Sequence, residues 1–274
     1  NALKLLLIIL KVMTSIIGIK TNVGIESIIV GSDTQEVVYE RDGENPSAKR
    51  EEISKIITGS NWIISYAGNN NTDGFYRFTR FLKGDKRYLK EGETPDLLIK
   101  SAVENYVRYG KKFQGPHFRR VADSNADVMK EKNDTDELNI YLLAVYFDTR
   151  LNGLWYIDEL GNLVEPKDQR ELNKTEKDFD YICMGSGGED MEKYIEQSVF
   201  EGEINTREID IKEAVKMVFA SLRKANKDPL TGFLKDIAII NKNGVERYGD
   251  IIKNKLIKAE REAEEEITSR YINS

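Results

Sequence analysis

The chain has 274 residues, 40% of them hydrophobic and 32% charged, enough for one large globular core. A formal net charge of -6 argues against a general nucleic-acid binder, whose phosphate contacts call for a basic surface. One cysteine, Cys183, rules out an internal disulfide and fits a reducing, cytoplasmic setting, and with a lone His117 it leaves no cluster for a structural zinc site, so no metal or cofactor is expected.

At the start of the chain the apolar run Leu5 to Leu10 is too short to cross a bilayer, which takes about 20 such residues. Residues 1–13 are expected to be an upstream extension or propeptide absent from the mature protein, because Met13 directly precedes Thr14 and a strand-like run. Strands are expected at Ser15 to Lys20, Ser27 to Ser32, Glu36 to Glu40, Lys55 to Thr58 and Trp62 to Tyr66, with turns at Asp42-Gly43 and Gly59-Ser60-Asn61. The period then changes. Helices are expected at Phe75 to Leu82 and Pro95 to Tyr109, with Pro95 in a first helical turn.

The polar stretch from Gly110 to Glu137 reads as a long surface insertion. Strands resume at Asn139 to Asp148, Leu154 to Ile157 and Asp180 to Met184, the last running into Gly185-Ser186-Gly187-Gly188 and a helix for which Ser186 and Glu189 form a candidate capping box. Ile211, Ala214, Val215, Val218, Phe219 and Leu222 keep the spacing of a buried helical face, with Asp210 and Glu213 as a capping pair. Asp236 to Asn241 reads as a final strand with Gly244 as its turn. Asp250 to Tyr271 reads as a charged helix carrying the apolar stripe Ile252, Leu256, Ala259, Ala263 and Ile267, expected to pack on its own or a neighbouring subunit. This order is α+β. It predicts a four-layer αββα sandwich of two antiparallel sheets with flanking helices, a single domain over 14–249 followed by the helix of 250–274.

Chemistry enters at Thr14. A chain-terminal threonine carries a hydroxyl nucleophile and a free amine as its own base, a pair able to attack amide carbonyls. Taken singly, Thr14 is also an ordinary strand former, Asp33 a turn residue, Lys55 a surface lysine, Ala67-Gly68 a plain turn, and Asp228-Pro229-Leu230-Thr231-Gly232 a turn after a helix. In combination they read differently. A buried lysine held by a carboxylate would lower the pKa of a nearby amine and favour hydroxyl deprotonation, and a glycine N–H at a strand end can meet a developing oxyanion.

The ordered set Thr14-Ser15-x-x-Gly18-Ile19, a strand ending in Asp33, Ser54-Lys55-Ile56-Ile57, Ser65-Tyr66-Ala67-Gly68 and Asp73 resembles the proteasome β-subunit family of N-terminal-nucleophile hydrolases. Further on, Phe147 to Asn162 is similar to that family's central hairpin, and Met184-Gly185-Ser186-Gly187 and Asp228-x-x-Thr231-Gly232 match its two later active-site segments. The resemblance implies Thr14 as nucleophile, Lys55 as the cation tuning its amine, Asp33 as the partner of Lys55, and Gly68 as the oxyanion donor. Ser186, Asp228 and Thr231 would orient the amine and a nucleophilic water. It further implies a threonine peptidase acting on peptides or unfolded proteins, in a homo-oligomeric ring that meets α-type subunits or an ATPase, with no nucleic acid or membrane partner. Two alternatives stand beside it, an amidohydrolase or transpeptidase of the same design acting on a specific amide, and a non-catalytic ring component whose Thr14 is blocked by residues 1–13.

Two departures from the family pattern carry expectations of their own. Met13 stands where self-processing members have Gly, so removal of an initiator Met is the expected route to a free amine. The Asp33 to Lys55 segment is longer than in the family, and its extra residues, Tyr39 to Ala48, fall where the family lines its substrate channel.

Overall fold

The computed structural model describes residues 15–42, 45–52, 54–67, 80, 82–87, 89, 91–109, 141–147, 152–157, 163–164, 180–185, 187–225, 235–248, 267 and 269. The chain opens with strands β1 (Ser15–Lys20), β2 (Ser27–Asp33), β3 (Gln35–Asp42), β4 (Asn45–Glu52), β5 (Ile56–Thr58) and β6 (Trp62–Ala67), then helix α1 (Pro95–Tyr109). Strands β7 (Tyr141–Phe147), β8 (Asn152–Ile157), β9 (Leu163–Val164) and β10 (Tyr181–Gly185) follow. Helices α2 (Gly188–Phe200) and α3 (Ile211–Ala225) lead to β11 (Lys235–Asn241) and β12 (Gly244–Arg247).

The strands form two five-stranded antiparallel sheets, β10-β1-β2-β11-β12 and β5-β6-β7-β8-β9, and a separate two-stranded ribbon, β3-β4. The fold is therefore mixed α+β. Its core follows from the alternation of side chains along the first sheet. Ile17, Ile19, Ile29, Ile237 and Ile239 lie with Met191, Ile195, Val215, Val218, Phe219 and Leu222 of the two later helices in one buried cluster. Ile16, Ile28, Val30, Ala238 and Ile240 lie with Ile56, Ile63 and Leu154 of the second sheet in another. A sheet with both faces covered buries its central strands on both sides, and β2 and β11 are buried at every position, apolar in mid-strand and polar toward their ends.

Helix α3 approaches β2 closely. A Cβ added to Gly31 would stand 2.4 Å from Cγ1 of Val218 and 3.0 Å from Cδ1 of both Leu222 and Ile237, so only a glycine fits beneath the helix without displacement. The α3 N-terminus is capped as its sequence predicts, with the Glu213 N–H donating to Oδ1 of Asp210 at 2.8 Å.

Several expectations change. Asn45–Glu52, which carries no alternating apolar pattern, pairs with β3 as a full strand. The expected strand Asp236 to Asn241 begins one residue earlier, at Lys235, and Gly244, expected as its turn, is the first residue of β12, which pairs back on β11. Ser186 of the expected Ser186–Glu189 capping box lies outside the described residues. The N-cap of α2 is Gly187, and Glu189 accepts a bond from Lys193 one turn on, which holds its carboxyl below the usual range. Gly187 stands there because a Cβ would meet Oγ of Ser15 at 2.2 Å and Cβ of Ala225 at 2.7 Å.

The expected helix Phe75 to Leu82 is described only at Arg80 and Leu82, both helical. The insertion of 110–137 lies outside the described residues. So does most of the terminal helix, of which Ile267 is helical, wholly buried and part of the core cluster around α3. Among the described residues no helix is long and apolar enough to cross a membrane.

Packing at Gly31 gives a direct test. Gly31→Val should lower the unfolding free energy by about 1–3 kcal/mol through overpacking, read as a lower urea midpoint at unchanged slope. An unchanged midpoint would show that α3 yields at this contact.

Candidate active site

Strand pairing sets up the site. Because β1 and β2 form an antiparallel hairpin with Ile16 opposite Ser32, the last residue of β2, Asp33, arrives beside the first residue of β1, Ser15. Ser15 also pairs with Gly185, and Asp33 with Lys235, so one row across the sheet end reads Gly185, Ser15, Asp33, Lys235. The Ser15 N–H donates to Oδ2 of Asp33 at 2.6 Å. The other carboxylate oxygen, Oδ1, accepts a bond from Nζ of Lys55 at 2.5 Å, with only 2% of the lysine side chain and 1% of the aspartate exposed.

Lys55 itself is delivered by the second sheet. Its backbone carbonyl accepts from the Tyr66 N–H at 3.2 Å and from Oγ of Ser65 at 3.1 Å, which fixes the residue against β6 just ahead of β5. The extended stem then crosses to Asp33. A fully buried ion pair is weak evidence for stability, since desolvating both charges offsets much of their attraction. Buried charges brought together at the end of a sheet are instead the kind of arrangement found at functional sites.

Of the seven residues singled out from sequence, Asp33 and Lys55 are thus brought together. Thr14, Gly68, Ser186, Asp228 and Thr231 lie outside the described residues. Their chain neighbours do not. Ser15 follows Thr14, Gly185 and Gly187 flank Ser186, Ala67 precedes Gly68, and Lys235 comes four residues after Thr231. Gly185, Ser15 and Lys235 belong to the row containing Asp33, and Ala67 ends the strand that holds Lys55. Consecutive Cα atoms are about 3.8 Å apart, so Thr14 is one peptide unit from the residue bonded to Asp33.

Sequence reasoning missed other polar groups at this end. Lys235 is 1% exposed beside Asp33. Oγ of Ser15 and of Ser32 are buried without a hydrogen-bond partner among the described residues. Asp236, also 1% exposed, is held by Arg247. A charged Lys-Asp pair opening an otherwise apolar strand was the available signal for Lys235 and Asp236, since such residues are almost never fully buried unless paired. The serines offered none.

The buried pair is testable through stability alone. Asp33→Ala should cost about 3–5 kcal/mol by removing the carboxylate from a buried ammonium, whereas Asp33→Ala with Lys55→Met should cost clearly less. Strict additivity of the two single changes in denaturant unfolding would show that the pair carries no coupling.

Comparison with models of known protein families gives no match, and comparison with curated proteins gives none either.

Proposed function

We propose that this chain is a threonine-type N-terminal-nucleophile hydrolase that cleaves peptide bonds as a proteasome-like subunit. One observation carries the reading: the residue after Thr14 donates its backbone N–H to the same buried carboxylate that accepts the Lys55 ammonium. Those contacts support the reading because the residue before Ser15 is the threonine that would need a fixed positive charge nearby. The proposed architecture is the four-layer sandwich, with α2 and α3 over one outer face and α1 over the other.

In the proposed reaction the Thr14 hydroxyl attacks the carbonyl carbon while its own amine takes the proton. The C–O bond forms as the carbonyl electrons move to oxygen, where the Gly68 N–H donates to the oxyanion. Collapse expels the amine product, protonated by the Thr14 ammonium, and leaves an ester. Water, oriented with Ser186, Asp228 and Thr231, then hydrolyses the ester and restores the threonine. The Lys55 charge disfavours a second nearby cation, so it keeps the amine neutral and basic near pH 7. The proposal includes a cytoplasmic homo-oligomeric ring, with α-type subunits or an ATPase as partners and peptides or unfolded proteins as substrates.

A second reading has an observation of its own. The β3-β4 ribbon leaves the sheet two residues after Asp33 and returns three residues before Lys55, and it is hydrogen-bonded to neither five-stranded sheet among the described residues. An arm rooted on both site residues favours an enzyme that selects one amide, as an amidohydrolase or a transpeptidase. Product analysis with an added amine acceptor separates the two, since transfer to that amine appears only with the transpeptidase.

Mass spectrometry of the purified chain should find a species beginning at Thr14, and an electrophile that needs both hydroxyl and amine should add to it. A chain that keeps residues 1–13 and ignores the probe is the non-catalytic component, and the reading is lost. Where the amine is the base, rate rises with pH through one ionisation lying below the ordinary α-amino value of about 7.7–8.0. Lys55→Met removes the charge that lowers it, so turnover should fall and the remaining activity should move to higher pH. A profile that stays in place would refute the role assigned to Lys55.

A further inference from the structure

The backbone on either side of Lys55 is held from outside the site. The carbonyl of Ser54 accepts from Oη of Tyr66 at 3.1 Å, and the N–H of Ile56 donates back to Oγ of Ser54 at 3.3 Å. That same hydroxyl donates to Oδ2 of Asp236 and accepts from Nη2 of Arg247. Arg247 in turn grips Asp236 with both ends of its fork, Nη2 to Oδ2 at 2.7 Å and Nε to Oδ1 at 3.3 Å.

Strand geometry explains how these residues meet. Arg247 pairs with Ala238, and Asp236 lies two residues along β11 on the same face, the diagonal position that a long side chain spans. Asp236 pairs with Ser32 and follows Lys235, so the carboxylate sits next to the Asp33 row while facing the second sheet. Asp236 is 1% exposed, and the Arg247 side chain is 40% exposed. A partly exposed guanidinium thus bonds the hydroxyl of the residue that precedes Lys55, both directly and by way of one buried carboxylate.

We infer that Arg247, Asp236 and Ser54 form a positioning clamp that fixes the height of Lys55 against Asp33, and so sets the charge seen by the Thr14 amine. None of the three is a catalytic residue, and the inference rests on the proposed threonine chemistry. The ammonium of a lysine stands at the end of a four-carbon stem, so its place is only as fixed as the backbone that carries it. Among the described residues, Ser54 links the clamp to that backbone. The Arg247–Asp236 pair holds β11 to β12 whether or not the hydroxyl is there.

This division makes Ser54→Ala the informative variant, because it cuts the link and leaves the ion pair. Its kcat, and its rate of reaction with the electrophilic probe, should fall by about 10²-fold, the scale set by displacing a reacting group by about an ångström, while KM stays close to wild type. The pH profile should broaden or move, as the charge beside the amine is less well placed. Arg247→Ala should show the same signature with some loss of stability, and Arg247→Lys should recover part of the rate. Denaturant midpoints measured alongside separate folding from function, and Ser54→Ala serves where Arg247→Ala fails to fold.

If wild-type protein reacts with the probe and Ser54→Ala reacts at the same rate and with the same pH profile, the clamp is overturned and the threonine chemistry stands. If Ser54→Ala loses rate only in proportion to unfolded protein, the clamp is likewise overturned. A wild-type chain with a free Thr14 that does not react overturns both.

Discussion

Everything at the candidate site hangs on one carboxylate that accepts from two directions. Asp33 ends a strand buried on both faces, and its two oxygens take the backbone N–H of Ser15 and the ammonium of Lys55. The first bond ties the carboxylate to the strand that follows Thr14, and the second ties it to the other sheet. With water excluded, neither charge of the pair has a comparable partner in solvent, so the geometry is enforced by the cost of separating them. The apolar clusters above and below the sheet do the rest. They keep the two sheets in the register that lets a lysine from one meet an aspartate from the other.

Much of the fold was legible as periodicity. β1 and β2 carry Ile-rich centres, and α3 carries its buried face at helical spacing with a capping aspartate, so local chemistry and tertiary packing agree. β4 was not legible, because Asn45–Glu52 pairs through its backbone with no apolar alternation to announce it. The need for a glycine at position 187 was not legible either, because it comes from Ser15, which approaches from the far end of the sequence.

The site divides along the same line. Asp33 and Lys55 were visible as chemistry in an ordered set, a carboxylate and a lysine each beside an apolar run. Their burial and their contact were expectations of that chemistry and not of any pattern. The clamp behind them was invisible. Ser54 and Asp236 stand 182 positions apart and Ser54 and Arg247 stand 193 apart, and each is an ordinary polar residue in its local context. The neighbouring of β11 and β12 in one sheet, together with the packing of the second sheet upon it, brings them to one place.

The β3-β4 ribbon has a further consequence for how such a chain can change over time. An antiparallel hairpin grows or shrinks by one residue on each strand, so its tip advances by about 3.4 Å per step while its two feet stay where they are. Here the feet adjoin Asp33 on one side and Lys55 on the other. Insertions at the tip therefore leave the ion pair undisturbed. The reach and composition of the arm form a module that can diverge freely, attached to a charge pair that cannot.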